Sequence, residues 1–347
     1  MKIHSDFLGG NATVTEQTEN EVYIENELRD TTENWFYWAF CVEGAEGKAI
    51  TFHMQENRLG YFGPAVSHDL KSWHWLDSVD GNSFTYHFAE DETKVYFAHS
   101  FLYHPERFLR FADKHNLEVR ELCKGYKGSS VPCVSFGNGE ISVILTARHH
   151  ACESTGNYVL EGVLEELLGY PEFKVFCVPF VDYEGVIRGD QGKSRNPHDH
   201  NRDYTDDSIY PECTAIKKYA LQNGCRFGFD FHSPWHIGNE NDNVFIVQNS
   251  FEKLDQLNRL GEILESSMTE SAMQYYHKND YPFKKGWNQG STTFANFMKV
   301  LPESEVAFTL ETTYFGTKEN KVSAERLVEL GRCFAKAIKR YVSEVKI

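Results

Sequence analysis

The sequence predicts an α/β protein, a mostly parallel sheet flanked by helices and preceded by an antiparallel β-sandwich domain. Three observations point that way. Short aromatic and β-branched runs separated by polar turns fill residues 1–102. Beyond them, continuous apolar runs alternate with stretches of helical spacing. Three of those later runs end on histidine or glutamate, and the carboxyl edge of an open α/β sheet is where ligands bind.

In chain order, the first unit offers strands at Glu21–Ile24, Trp35–Val42, Ala49–Met54, Phe84–Phe88 and Lys94–Ala98. Turn formers such as Asp80-Gly81-Asn82 separate them, the pattern of a sandwich. No cluster within it would do chemistry. The pattern changes near Leu102, so residues 1–102 read as one domain and 103–347 as another. Pro105–His115 reads as a helix opened by proline. Strands follow at Leu117–Leu122, Val131–Phe136 and Ile141–Ala147, then a helix at Tyr158–Leu168 and a strand at Lys174–Val181. The stretch Asp182–Tyr204 is polar. Helices at Pro211–Asn223, Phe251–His277 and Ser323–Val345 surround strands at Arg226–Phe231 and Val306–Leu310.

The stretch Ile141–Leu168 organises the second half. Its strand is followed at once by His150 and Glu153, whose i, i+3 spacing aims both side chains one way on a first helical turn. Alone, His-x-x-Glu is a common pattern, and a helix-start glutamate beside a surface histidine is the plainer reading. Two other strands supply what a metal hydrolase would add. One ends at His232 and one at Glu311. Neighbouring parallel strands share a carboxyl edge, so all four residues would face one crevice. Two imidazoles and a carboxylate hold zinc with a position open for water, and Glu311 would take the water's proton.

Composition narrows the class. A formal net charge of −16 disfavours nucleic-acid partners, and no apolar stretch has the length of a membrane span. The start, MKIHSDFLGGNATV, lacks the apolar core of a signal peptide, so a cytoplasmic protein is expected. The eight cysteines are scattered without Cys-x-x-Cys pairs and are expected to be free thiols. The oligomeric state is not legible.

HHACE, DFHSPW and TLETTYFG resemble the zinc carboxypeptidases, and the cytosolic carboxypeptidase branch in particular. That branch has a β-sandwich before its catalytic domain. The run Trp35-Phe36-Tyr37-Trp38-Ala39-Phe40 is similar to its aromatic strand, and Tyr96–His104 to its entry into the catalytic domain. The resemblance implies one Zn²⁺ ion held by His150, Glu153 and His232, with Glu311 as base. It implies hydrolysis of the C-terminal bond of a peptide or protein. Arg195 matches the family arginine that stabilises the oxyanion, and Asn201-Arg202 the pair that grips the terminal carboxylate.

Departures are also visible. The family's Asn-Pro-Asp-Gly turn stands here as Asp182-Tyr183-Glu184-Gly185. In the stretch Gln289–Ala295, Thr293 occupies the place of an arginine that reads acidic side chains, which argues against trimming of terminal glutamate. Lys284 or Lys285 would have to supply that charge. Tyr281 and Tyr314 are the candidates for the family's tyrosine. His149 stands one residue too far from Glu153 to be the ligand, His198 and His200 read as supporting or surface residues, His236 as structural, and Cys152 as packing. Two other readings compete: an acyl-amide hydrolase of the desuccinylase and aspartoacylase kind, and a non-catalytic peptide-binding module.

Overall fold

The computed structural model describes residues 1–290 and 292–345; Ser291, within the stretch compared above, lies outside the described residues. The amino-terminal strands form two sheets. One runs Lys2–His4, Ala39–Glu43, Lys94–Ala98, Ala65–Ser67, His74–Trp75, antiparallel throughout. The other runs Thr13–Gln17, Glu21–Glu25, Ala49–Met54, Ser83–His87. Strand periodicity explains their facing. Val22 and Ile24 point inward while Glu21, Tyr23 and Glu25 are exposed. They meet Phe40, Val42, Val95 and Phe97 of the first sheet in one apolar core. The expected antiparallel order fails at one place, because Glu21–Glu25 pairs with Ala49–Met54 in parallel. Thr13–Gln17 escapes the sequence pattern because its polar residues hide a single inward-leaning valine.

The second half builds a seven-stranded sheet. Its centre is Phe173–Val178, Ile141–Ala147, Phe227–His232 and Val306–Glu311, mutually parallel. Val119–Lys124 and Ser130–Phe136 flank one side and Phe245–Val247 the other, all antiparallel. The sheet is therefore mixed rather than mostly parallel. The central strands carry apolar side chains on both faces, as strands covered twice must. Val143, Leu145 and Ala147 pack toward the helices Thr155–Leu167 and Ala324–Val345. Ile144, between them, points to the opposite core under Pro211–Asn223 and Phe294–Met298. The first two helices nearly touch: a Cβ on Gly162 would lie 1.9 Å from the Val328 carbonyl oxygen, and one on Gly331 2.0 Å from that of Val159.

Two expected elements change shape. The long helix Phe251–His277 is only Leu254–Ser266, ending where the Ser266 and Ser267 hydroxyls donate to the Ile263 carbonyl at 2.9 and 2.7 Å. The polar stretch after Val181 contains a helix, Tyr183–Arg188, whose first turn is capped by Asp182 accepting from the Gly185 N–H at 3.0 Å.

Candidate active site

Parallel pairing sets His232 opposite Glu311, and Ala147 opposite Phe231, at one carboxyl edge. Beyond Ala147 the chain does not start a helix directly. Arg148 takes a left-handed conformation (φ 60°), and His150 to Glu153 form a turn closed by the Glu153 N–H on the His150 carbonyl at 3.3 Å. The helix begins at Thr155. This tight reversal, rather than a helical turn, brings the two side chains together.

His150, Glu153 and His232 are buried and converge. The Nδ1 atoms of the two imidazoles face each other at 3.1 Å. The Glu153 carboxylate lies 2.9 Å from His150 Nδ1 and 2.7 Å from His232 Nδ1. Two imidazole lone pairs and a carboxylate aimed at one point suit a cation, and this donor set fits a divalent metal. Burial opposes ionisation of Glu153, but His150, Lys193 and His232 outweigh it and hold its carboxyl well below the usual range. Glu311 responds oppositely. Burial, with Glu153's negative charge added, pushes it up to about 7. Its Oε2 is buried without a hydrogen-bond partner.

Behind the ligands stands a polar chain the sequence reading missed. Asp230 accepts from His232 at Nε2 (2.6 Å), from His149 at Nδ1 (2.8 Å) and from Thr146 (2.8 Å). His149 Nε2 continues to the Tyr204 hydroxyl at 2.7 Å. His149, Asp230 and His232 also have the spacing of a metal group, sharing His232 with the first set. Asp199 lies 3.5 Å from His150 Nε2. The signal for Asp230 was legible, since Asp-x-His on a strand puts both side chains on one face.

No family model matches the chain. An uncharacterised protein of Zymomonas mobilis is 26% identical, the match covering 96% of this chain and 95% of that one. Cytosolic carboxypeptidase 2 of Xenopus tropicalis is 24% identical over 79% of this chain, which spans 32% of that relative's length. Among solved structures, a metallo-carboxypeptidase of Pseudomonas aeruginosa superposes with a TM-score of 0.82 at 20% identity, covering 99% of this chain and 100% of its own. One of Burkholderia cenocepacia gives 0.81 at 17% identity, covering 99% of both. The chain has the metallo-carboxypeptidase fold.

Within this carboxypeptidase fold the metal turn borders a cavity of about 550 Å³ lined by His150, Glu311, Arg202, Lys193, Trp235 and Trp287. A smaller one of about 240 Å³ adjoins it, sharing Arg202, Trp287 and Glu311 and adding Thr293, Asn249 and Asn296. Arg202 is thus where a substrate group would meet it. Asn201 is engaged elsewhere: its Oδ1 accepts from the Phe294 N–H at 3.1 Å, and its Nδ2 lies 3.3 Å from His232 Nε2.

Arg195 is not where the resemblance puts it. Its guanidinium pairs with Asp182 at 2.7 Å, Asp30 at 3.0 Å and Asp190 at 3.3 Å, and it lines neither cavity. Three carboxylates hold it away from the crevice. Lys193, two residues earlier, reaches into it.

The remaining candidates settle into supporting places. Thr293 caps the helix Phe294–Met298, accepting from the Asn296 N–H at 3.2 Å. Lys284 donates to the Gln289 carbonyl, and Lys285 sits over the Tyr281 ring at 5.7 Å; neither lines a cavity above. Tyr281 stacks on Trp287 at 4.6 Å, and the Tyr314 hydroxyl lies 3.8 Å from Cys152 Sγ. His198 pairs with Asp203 at 2.7 Å, buried His200 stacks on Tyr210 at 3.8 Å, and buried His236 stacks on Phe36 at 4.7 Å. All eight cysteines are free.

Proposed function

We propose that the protein is a zinc-dependent carboxypeptidase that removes the C-terminal residue of a peptide or protein. The observation that carries this is the meeting of His150 Nδ1, His232 Nδ1 and the Glu153 carboxylate beside a cavity that one of them, His150, lines with Glu311 and Arg202. Those three residues would hold one zinc ion, which when bound supplies Lewis acidity toward a water and the scissile carbonyl. His149, Asp230 and His232 are a poorer second site, because none of them lines either cavity, whereas His150 does.

The chain's own residues divide the remaining work. Glu311 takes a proton from water as the water oxygen bonds to the carbonyl carbon. It returns that proton to the amine as the carbon–nitrogen bond breaks. Arg202 receives the substrate's terminal carboxylate, the planar anion its fork suits. Asn201, expected beside it in that role, anchors the Arg202 loop through Phe294.

The reading extends to the frame. Residues 1–102 act as a β-sandwich domain beside a catalytic domain of residues 103–347, in a cytoplasmic enzyme. Likeness to a cytosolic carboxypeptidase supports this, and no helix among the described residues is long and apolar enough to cross a membrane. The test is metal content together with residue release from peptides with free or amidated C-termini. One bound zinc and release from the free peptide alone are expected. Hydrolysis of N-acyl amino acids with no attack on peptides would replace this reading with the acyl-amide hydrolase.

A further inference from the structure

Hydrolysis by this route puts negative charge on the scissile carbonyl oxygen, and Arg195 is too far committed to its aspartates to meet it. We propose that Lys193 supplies the cation, its ammonium donating to that oxygen as the carbon becomes tetrahedral. The assignment rests on the carboxypeptidase reading of the site.

The placement is specific. Lys193 and Arg202 are the lysine and arginine side chains on the larger cavity, and Arg202 is taken by the terminal carboxylate. Lys193 Nζ lies 2.9 Å from Glu153 Oε1 and 4.7 Å from the centre of the Trp35 ring, with the side chain 20% exposed. It thus stands beside the metal ligands on the same cavity as Glu311. An ammonium carries three donors on a flexible stem, so it can keep Glu153 and still reach a substrate oxygen. A cation already beside the place where negative charge develops stabilises it.

The loop that carries Lys193 is set by the amino-terminal strands' own chain. Asp30 accepts from the Gln191 N–H at 2.9 Å and from the Gly192 N–H at 2.8 Å. Trp35 donates from its indole to the Ser194 hydroxyl at 3.3 Å and lies under the ammonium. Gly192 has φ +77°, and a Cβ there would lie 2.1 Å from the Ala151 nitrogen, so the loop runs against the metal turn itself. Asp30 and Trp35 are positioning residues for Lys193. This gives the first 102 residues a part in the chemistry.

A purely structural role, neutralising Glu153, makes a different prediction. The experiment compares the full-length zinc enzyme with Lys193→Met and Lys193→Arg. It measures zinc content, kcat and KM, and affinity for a phosphonate peptide that mimics the tetrahedral carbon and for the product amino acid. Lys193→Met is expected to lower kcat/KM by about 100- to 1,000-fold, chiefly in kcat. Phosphonate affinity should fall in parallel, zinc content and product affinity should hold, and Lys193→Arg should recover part of the loss. Loss of zinc matching the loss of rate would overturn the assignment, as would equal weakening of phosphonate and product or an unchanged rate. Should the unaltered enzyme release no C-terminal residue, the carboxypeptidase reading itself fails, a result distinct from an active enzyme indifferent to Lys193.

Discussion

Asp230 and His232, two residues apart on one strand, hold a carboxylate oxygen 2.6 Å from imidazole Nε2. The carboxylate fixes the proton on Nε2 and leaves Nδ1 bare, facing His150 and Glu153. The same aspartate orders His149, so one buried anion sets two imidazoles.

Asp230→Asn should therefore weaken metal affinity by about 10- to 100-fold while the ligands stay in place. Competition with a chelator of known affinity measures it. Retention of full affinity would mean that the strand alone orients His232.

Glu311→Gln keeps the shape of the side chain and removes the carboxylate proposed as the base. We expect turnover to drop by about 1,000-fold, with the zinc still bound, because general-base catalysis is lost and the ligand set is untouched. Metal analysis and residue release on one preparation check both halves. A variant that lost its metal would show that Glu311 belongs to the ligand set.

How much of this was legible differs by residue. His150, Glu153, His232 and Glu311 are picked from strand endings because parallel ladders share an edge; His150, Glu153 and His232 lie within ligand distance of one another, and His150 and Glu311 line one cavity. Most strands follow from periodicity. Arg195 shows the limit. A motif places an arginine by spacing, but Asp30 lies 165 residues away in sequence and Asp182 and Asp190 hold the same side chain. Tertiary charge decides where a guanidinium points, and no local window contains it. Helix Leu254–Ser266 ends short for a related reason, since two serine hydroxyls bond the Ile263 carbonyl in its last turn.

Arg195 consequently belongs to stability. Removing it leaves Asp30 and Asp182 without a cation, while Asp190 keeps Arg29 at 3.0 Å; Asp182 is already pushed up to about 6 by burial despite the arginine. Arg195→Met should cost about 3–5 kcal/mol of folding free energy. Denaturant unfolding reads the loss, and a variant as stable as the parent would show that water or relaxation replaces the arginine.

Glu212 gives the pH dependence a direction. It is buried, 3.8 Å from His200 Nε2, and burial with the negative charges of Asp182 and Glu184 raises its carboxyl to about 7 from the usual 4.5. Between those values the folded protein holds a proton that the unfolded chain has released. Its contribution to stability is therefore present at acid pH and is lost as pH rises through about 7. Glu212→Gln keeps an acceptor for the Tyr126 N–H, which now bonds Glu212 at 3.1 Å, and removes the titration. The variant should gain on the order of 2 kcal/mol over the parent at pH 8, and little at pH 5. Thermal unfolding across that range measures the difference. Parallel curves for the two proteins would show that Glu212 ionises in the folded state as it does in the unfolded chain.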